Sequence, residues 1–168
     1  MAARPGERVH RDNLGNLNVL TALIGHQDDI GVNFYRSKDA ARPRLLSVDN
    51  GLAFGAMGDN PIRFFSSAWS DVRVPLLPSK TVDRLGSVDR ARLEPLGVVA
   101  QMRLEGGAFH PIPRTPTLDP NQAVRWNGDD VQLGLTAEEI TDVDVRLARL
   151  LGAIDSEEVQ RGRPRESK

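Results

Sequence analysis
The stretch from Thr136 to Ile154 constrains the fold more than any other part of this chain. Thr136 and Glu139 have the spacing of a capping box, and Ile140, Val143, Leu147, Leu150, Leu151 and Ile154 fall on one stripe at helical spacing. A helix of this kind takes most of its stability from laying its apolar stripe on a core. The chain must therefore contain a folded domain with a helical component. The residues after Asp155, ending Arg161-Gly162-Arg163-Pro164-Arg165, are polar, and 156–168 are expected to form a disordered, solvated tail.

At the other end, Asp12 is placed to cap a helix running to about Ile24. Leu14, Leu17, Leu20 or Thr21, and Ile24 share one face, and Gly25 stands where a C-terminal glycine belongs. Residues 1–11 then form an N-terminal extension. It carries Arg4, Arg8 and Arg11 with no apolar run behind them, so no signal peptide is read and the cytoplasm is the default compartment. Residues 26–33 read as a polar loop. Phe34-Tyr35-Arg36 and Leu45-Leu46-Ser47-Val48 are strand-like runs that the polar residues 37–44 could join as a hairpin, and Asp49-Asn50-Gly51 is a turn signature. Residues 54–78 mix glycine, proline and aromatics, which suits irregular packing with room for one helix after Pro61. Ser87 to Leu96 reads as a short helix. Pro111, Pro113, Pro116 and Pro120 make the following stretch a loop. No regular element is assigned to the remainder of 79–135.

Composition narrows the chemistry. The 168 residues fit one domain of 12–155, with 39% hydrophobic and 27% charged residues. A formal net charge of -1 gives no bias toward nucleic acid or anionic lipid, and no apolar run is long enough for a membrane span. The absence of cysteine excludes disulfides, thiolate metal sites and thiol nucleophiles. His10 and His110 are isolated in sequence, so no zinc site is expected. Trp69, Trp126 and the phenylalanines are most simply core residues.

The segment with chemical content is His26-Gln27-Asp28, followed after four residues by Asn33 and later by Asp49-Asn50-Gly51. Phosphoryl transfer needs a carboxylate to orient the attacking hydroxyl and accept its proton, and hard oxygen ligands to place magnesium against the phosphates. A short hairpin between loop and turn would bring two carboxylates and one amide oxygen together. Alone, Asp28-Asp29 would suit an ordinary polar loop and Asp49-Asn50-Gly51 a simple hairpin turn. Their spacing, with Leu45 to Val48 before the turn and Leu52-Ala53-Phe54 after it, sets them apart.

The pattern is similar to the kinase catalytic loop H-R-D-x-x-x-x-N and the D-x-G turn that follows it, with Gln27 in place of the arginine. Leu23-Ile24-Gly25-His26-Gln27-Asp28 and Leu46-Ser47-Val48-Asp49-Asn50-Gly51-Leu52-Ala53-Phe54 resemble the active-site segments of atypical kinases. The likeness is to phosphatidylinositol 3- and 4-kinases, the type II 4-kinases above all, and to the secreted kinases related to the Golgi casein kinase. It covers about residues 13–78. The resemblance implies an α+β, mostly helical fold, a protein-kinase-like C-terminal lobe with a small catalytic-loop β-hairpin. It also implies Asp28 as catalytic aspartate, Asn33 and Asp49 as ligands of Mg (or Mn), ATP as co-substrate, and His26 as support for the loop. The chain departs from the pattern at Asp29, where those families carry a basic residue.

A kinase also has a small lobe that grips ATP through a glycine-rich strand pair and a lysine. Neither precedes Asp28, and all three lysines (Lys38, Lys80 and Lys168) follow the loop. The expected enzyme is thus a phosphotransferase acting on a lipid, protein or small-molecule hydroxyl, with its nucleotide-gripping lobe on a partner or an upstream segment. The alternative is a non-catalytic kinase-like lobe serving as a binding module.

Overall fold
The computed structural model describes residues 5–26, 34–39, 44–47, 53–54, 76–155 and 160–161. The chain is α+β and divides into two compact units. One comprises the residues up to Ser87 together with those from Arg146 onward, and the other is Val88–Val145.

In the first unit, helix α1 spans Pro5–Ile24. It begins seven residues before the expected cap at Asp12, which is an interior position. Proline suits the first helical turn because the amide it lacks would have no intrahelical partner there. Leu17, Val19 and Thr21 are buried while Leu20 is exposed, so of the two residues competing for the inner face the polar one took it. Its hydroxyl makes this possible by donating to the carbonyls of Leu17 at 2.9 Å and Asn18 at 3.2 Å.

Strands β1 (Phe34–Arg36) and β2 (Leu45–Ser47) pair antiparallel, with Phe34 opposite Ser47 and Arg36 opposite Leu45, as the hairpin reading expected. Strand β3 (Leu76–Leu77) leads through Pro78 into helix α2 (Ser79–Leu85), which buries Val82 and Leu85. Neither β3 nor α2 was read from the sequence. Two apolar positions in seven residues are too few to establish a helical period. The Thr81 hydroxyl contacts the Asn16 side-chain oxygen at 2.6 Å, linking α2 to α1.

In the second unit, the Asp89 carboxylate accepts from the Arg92 amide at 3.0 Å and caps helix α3 (Arg90–Leu93). The helix tightens into a 3₁₀ segment over Glu94–Val98, with Pro95 in its first turn. A four-stranded antiparallel sheet follows, made of β4 (Ala100–Glu105), β5 (Ala108–Pro111), β6 (Val124–Asn127) and β7 (Asp130–Leu133) in the order β5-β4-β7-β6. This sheet corrects the sequence reading, which assigned no strands there. Gly106 and Gly107, at φ 58° and 81°, form the two-residue turn that joins β4 to β5.

Paired residues share a face, so the register sorts the sheet. One face carries Ala100, Met102, Leu104, Phe109, Val124, Trp126, Val131 and Leu133. The other carries Gln101, Arg103, His110, Arg125, Asp130 and Gln132. Phe109 and Trp126 stand on opposite edge strands, yet their ring centroids are only 6.0 Å apart. The sheet therefore curls until the rings meet over its central strands, and Val131 is left 3% exposed. Leu104, Phe109, Val124 and Trp126 on this face are nonetheless exposed, so neither ring is the core residue that the sequence suggested.

The polar face is covered at Gln101, Arg125 and Gln132, while Arg103 and His110 stay exposed. Residues 112–123, rich in proline, cross it, and Gln101, Arg125 and Gln132 are buried beneath them. The Gln132 amide nitrogen donates to the Thr115 hydroxyl at 2.9 Å and the Pro116 carbonyl at 3.1 Å, and its oxygen accepts from the Leu118 amide at 3.0 Å. Arg125 donates to the carbonyls of Asp119, Gly97 and Leu135 at 2.5, 2.5 and 2.8 Å. Prolines contribute carbonyls without amides, so a proline-rich strap needs donors from elsewhere, and these two side chains supply them.

Helix α4 (Ala137–Asp155) opens on the expected capping box. The Thr136 amide donates to the Glu139 carboxylate at 2.7 Å, and the Glu139 amide donates to the Thr136 hydroxyl at 3.1 Å. Ile140, Val143, Leu147 and Ile154 are buried as the stripe requires. Within the expected tail, β8 (Gln160–Arg161) pairs parallel with β3.

Candidate functional site
The residues singled out for chemistry, Asp28, Asn33 and Asp49, lie outside the described residues, as does Asp29. The chain around them is described and can be built up in order. Helix α1 ends in a Schellman motif. Gly25 adopts φ 59°, its amide reaches the Ala22 carbonyl at 3.4 Å, and the His26 amide donates to the Thr21 carbonyl at 3.0 Å. His26, the first residue of the candidate loop, is 7% exposed. Eight residues on, at Phe34, the chain returns as β1.

Beyond the hairpin, Phe54 has φ 64°, in the left-handed region that a bulky residue seldom occupies. Its amide donates to the Ile24 carbonyl at 2.6 Å, one of the carbonyls a helix end leaves without an intrahelical donor. The end of the D-N-G-L-A-F segment is thereby bonded to the residue from which the candidate loop departs. Helix α1 also lies against β2.

Arg146 of α4 closes this corner from below. Its guanidinium lies so near Gly25 that a Cβ added there would meet its carbon and nitrogens at 2.6–3.0 Å. Its remaining nitrogen, Nη1, donates to the Leu23 carbonyl at 3.3 Å. A cation at that position opposes the negative end of the α1 dipole. The sequence reading passed over Arg146, although a signal was present. It stands three residues after Val143 and four before Leu150, so an arginine occupies the apolar stripe.

Elsewhere the described residues offer less. A cleft of about 330 Å³ in the second unit is lined by Glu94, Pro95, Val98, Arg114, Thr115, Pro116 and Thr117. Arg114 spends one donor on the Val98 carbonyl at 3.1 Å. Thr115 and Thr117 there hydrogen-bond to the fold, which leaves no activated nucleophile in the cleft. On the sheet, Arg103 and Asp130 form a two-pronged ion pair at 2.6 and 3.0 Å. Its hydrogen bond raises the arginine pKa and lowers that of the carboxyl. Arg103 is exposed and Asp130 half-buried at the sheet surface, so the pair is a surface feature. Among the described residues, no group of three or more histidine, aspartate or glutamate side chains could hold a metal.

The chain matches no protein-family model, no curated protein and no solved structure.

Proposed function
We propose that these residues form a kinase-type phosphotransferase lobe. In it Asp28 orients the acceptor hydroxyl and takes its proton, while Asn33 and Asp49 hold magnesium or manganese. ATP is the co-substrate, gripped by a lobe supplied from outside these 168 residues. The acceptor is the hydroxyl of a lipid, a protein or a small molecule.

The observation that carries this reading is how the chain is tied around the motif. Phe34 and Ser47 are partners in the β1–β2 hairpin. In sequence, Asn33 is the residue before Phe34 and Asp49 the second after Ser47, so both leave the same end of that hairpin. The bond from Phe54 to Ile24 then returns the chain to the start of the loop bearing Asp28. Helix α1 and the β1–β2 hairpin thus flank the motif in the chain order that the resemblance to kinase active-site segments implies.

The donor set suits the ion. Two carboxylates and an amide oxygen are hard ligands of the kind magnesium and manganese prefer, and Asp29 beside them adds negative charge. A bound divalent ion would bridge phosphate oxygens and offset their charge. Manganese titration of the wild type and Asp49→Asn, followed by water-proton relaxation, tests the reading. Weak binding is expected, with affinity reduced at least several-fold in the variant. Equal binding by both proteins would remove the site.

A further inference from the structure
We infer that Arg146 is a positioning residue for the candidate catalytic loop, holding the end of α1 from which Asp28 departs; this rests on the reading of that loop given above. The geometry is specific. The guanidinium lies against the backbone of Gly25 and donates to the Leu23 carbonyl, so it fixes the last turn of α1 and the glycine that redirects the chain. Asp28 follows that glycine by three residues.

The chemistry of the position argues in the same direction. Arg146 is 9% exposed and sits next to Leu147 on a stripe that otherwise buries aliphatic side chains. Filling such a place with an ion carries a desolvation cost that leucine or methionine would avoid. A planar guanidinium offers what they lack: a flat face for a glycine backbone and donors in a fixed fork for helix-end carbonyls. Lysine could supply the charge but not the flat face. Gly25 is the complementary half of the contact, since any side chain there would strike the guanidinium and strain a left-handed backbone.

The test uses the full 168-residue chain and manganese alone as probe, with affinity read by water-proton relaxation well below the melting temperature. The proteins are the wild type, Arg146→Met, Arg146→Lys and Ile140→Val, a core variant in the other unit that controls for general loss of stability. Arg146→Met is expected to bind manganese on the order of tenfold more weakly, as loss of a group orienting metal ligands commonly does. Arg146→Lys should fall between it and the wild type, and Ile140→Val should bind as the wild type does. Wild-type affinity in a folded Arg146→Met overturns the inference and leaves the loop reading intact. A wild type that binds no manganese overturns the loop reading and the positioning role together. Should Arg146→Met fail to fold, Arg146→Lys decides: several-fold weaker binding supports the role, and undiminished binding overturns it.

Discussion

At the scale of single residues, this chain depends on close backbone approaches and on polar side chains placed where apolar ones are the rule. Gly134 shows the first. A Cβ there would fall inside the Gly97 carbonyl and within 2.9 Å of the Leu96 carbonyl. Those atoms are backbone, so no side chain can rotate away to relieve the clash. Gly134→Ala should therefore destabilise the second unit by about 2 kcal/mol, the scale of an overpacked core site. Thermal unfolding followed by circular dichroism would show it as a lower Tm, and an unchanged Tm would mean that the two glycines are not in contact in solution. Gln132 and Arg125 show the second dependence. Each is buried and each bonds to the strap, Arg125 through the Asp119 carbonyl and Gln132 through the Pro116 carbonyl.

At the scale of elements, the helices were the more legible part. Helix α4 could be read in advance because its cap and stripe are local signals, and its opening turn holds both capping-box bonds. Thr136→Ala removes the hydroxyl that accepts from the Glu139 amide and should cost about 1 kcal/mol. Thr136→Ser, which keeps the hydroxyl, should recover most of that loss in chemical denaturation, and equal losses in both variants would argue against the cap. The four-stranded sheet went unread despite alternation as regular as any in the chain. In Ala100–Glu105 apolar and polar residues strictly alternate, and Gly106-Gly107 is a hairpin turn. Four prolines nearby drew the whole stretch into one loop reading. They belong to the strap and to the end of β5, leaving the strands themselves free to pair.

At the scale of the whole molecule, no described helix is long and apolar enough to cross a membrane, which agrees with the sequence reading. The candidate loop, the hairpin and Arg146 all belong to the first unit, and the curled sheet belongs to the second. Catalysis of phosphoryl transfer is mostly positioning and charge stabilisation of the γ-phosphoryl group, shared between two lobes. On the proposed reading, with no glycine-rich loop or lysine ahead of Asp28 in the sequence, ATP would be held through the metal alone, in water that weakens each charge interaction. Incubated with radiolabelled ATP, these 168 residues should transfer no phosphate at a measurable rate. Activity should appear only when a nucleotide-gripping segment or partner is added, and should vanish in Asp28→Ala. Robust Asp28-dependent turnover by the 168 residues would contradict this.

What the sequence determined by itself was whatever rests on neighbours in the chain. The Thr136 cap, the stripe of α4, the glycine ending α1 and the β1–β2 hairpin each follow from residues within a few positions of one another. The spacing of Asp28, Asn33 and Asp49, on which the functional proposal stands, is likewise read from one stretch of sequence. Only the tertiary structure decided which face of the sheet is buried and what supports the candidate loop. Alternation specifies two faces and favours the apolar one as inner, yet here Leu104, Phe109, Val124 and Trp126 stay exposed on that side and a proline-rich strap buries Gln101, Arg125 and Gln132 on the other. The strap could not be foreseen because its need for donors is met by Arg125 and Gln132, which reach the Asp119 and Pro116 carbonyls only once the sheet has formed beneath them. Arg146 reaches Leu23 across 123 positions of sequence, and no local pattern encodes a contact made at that separation.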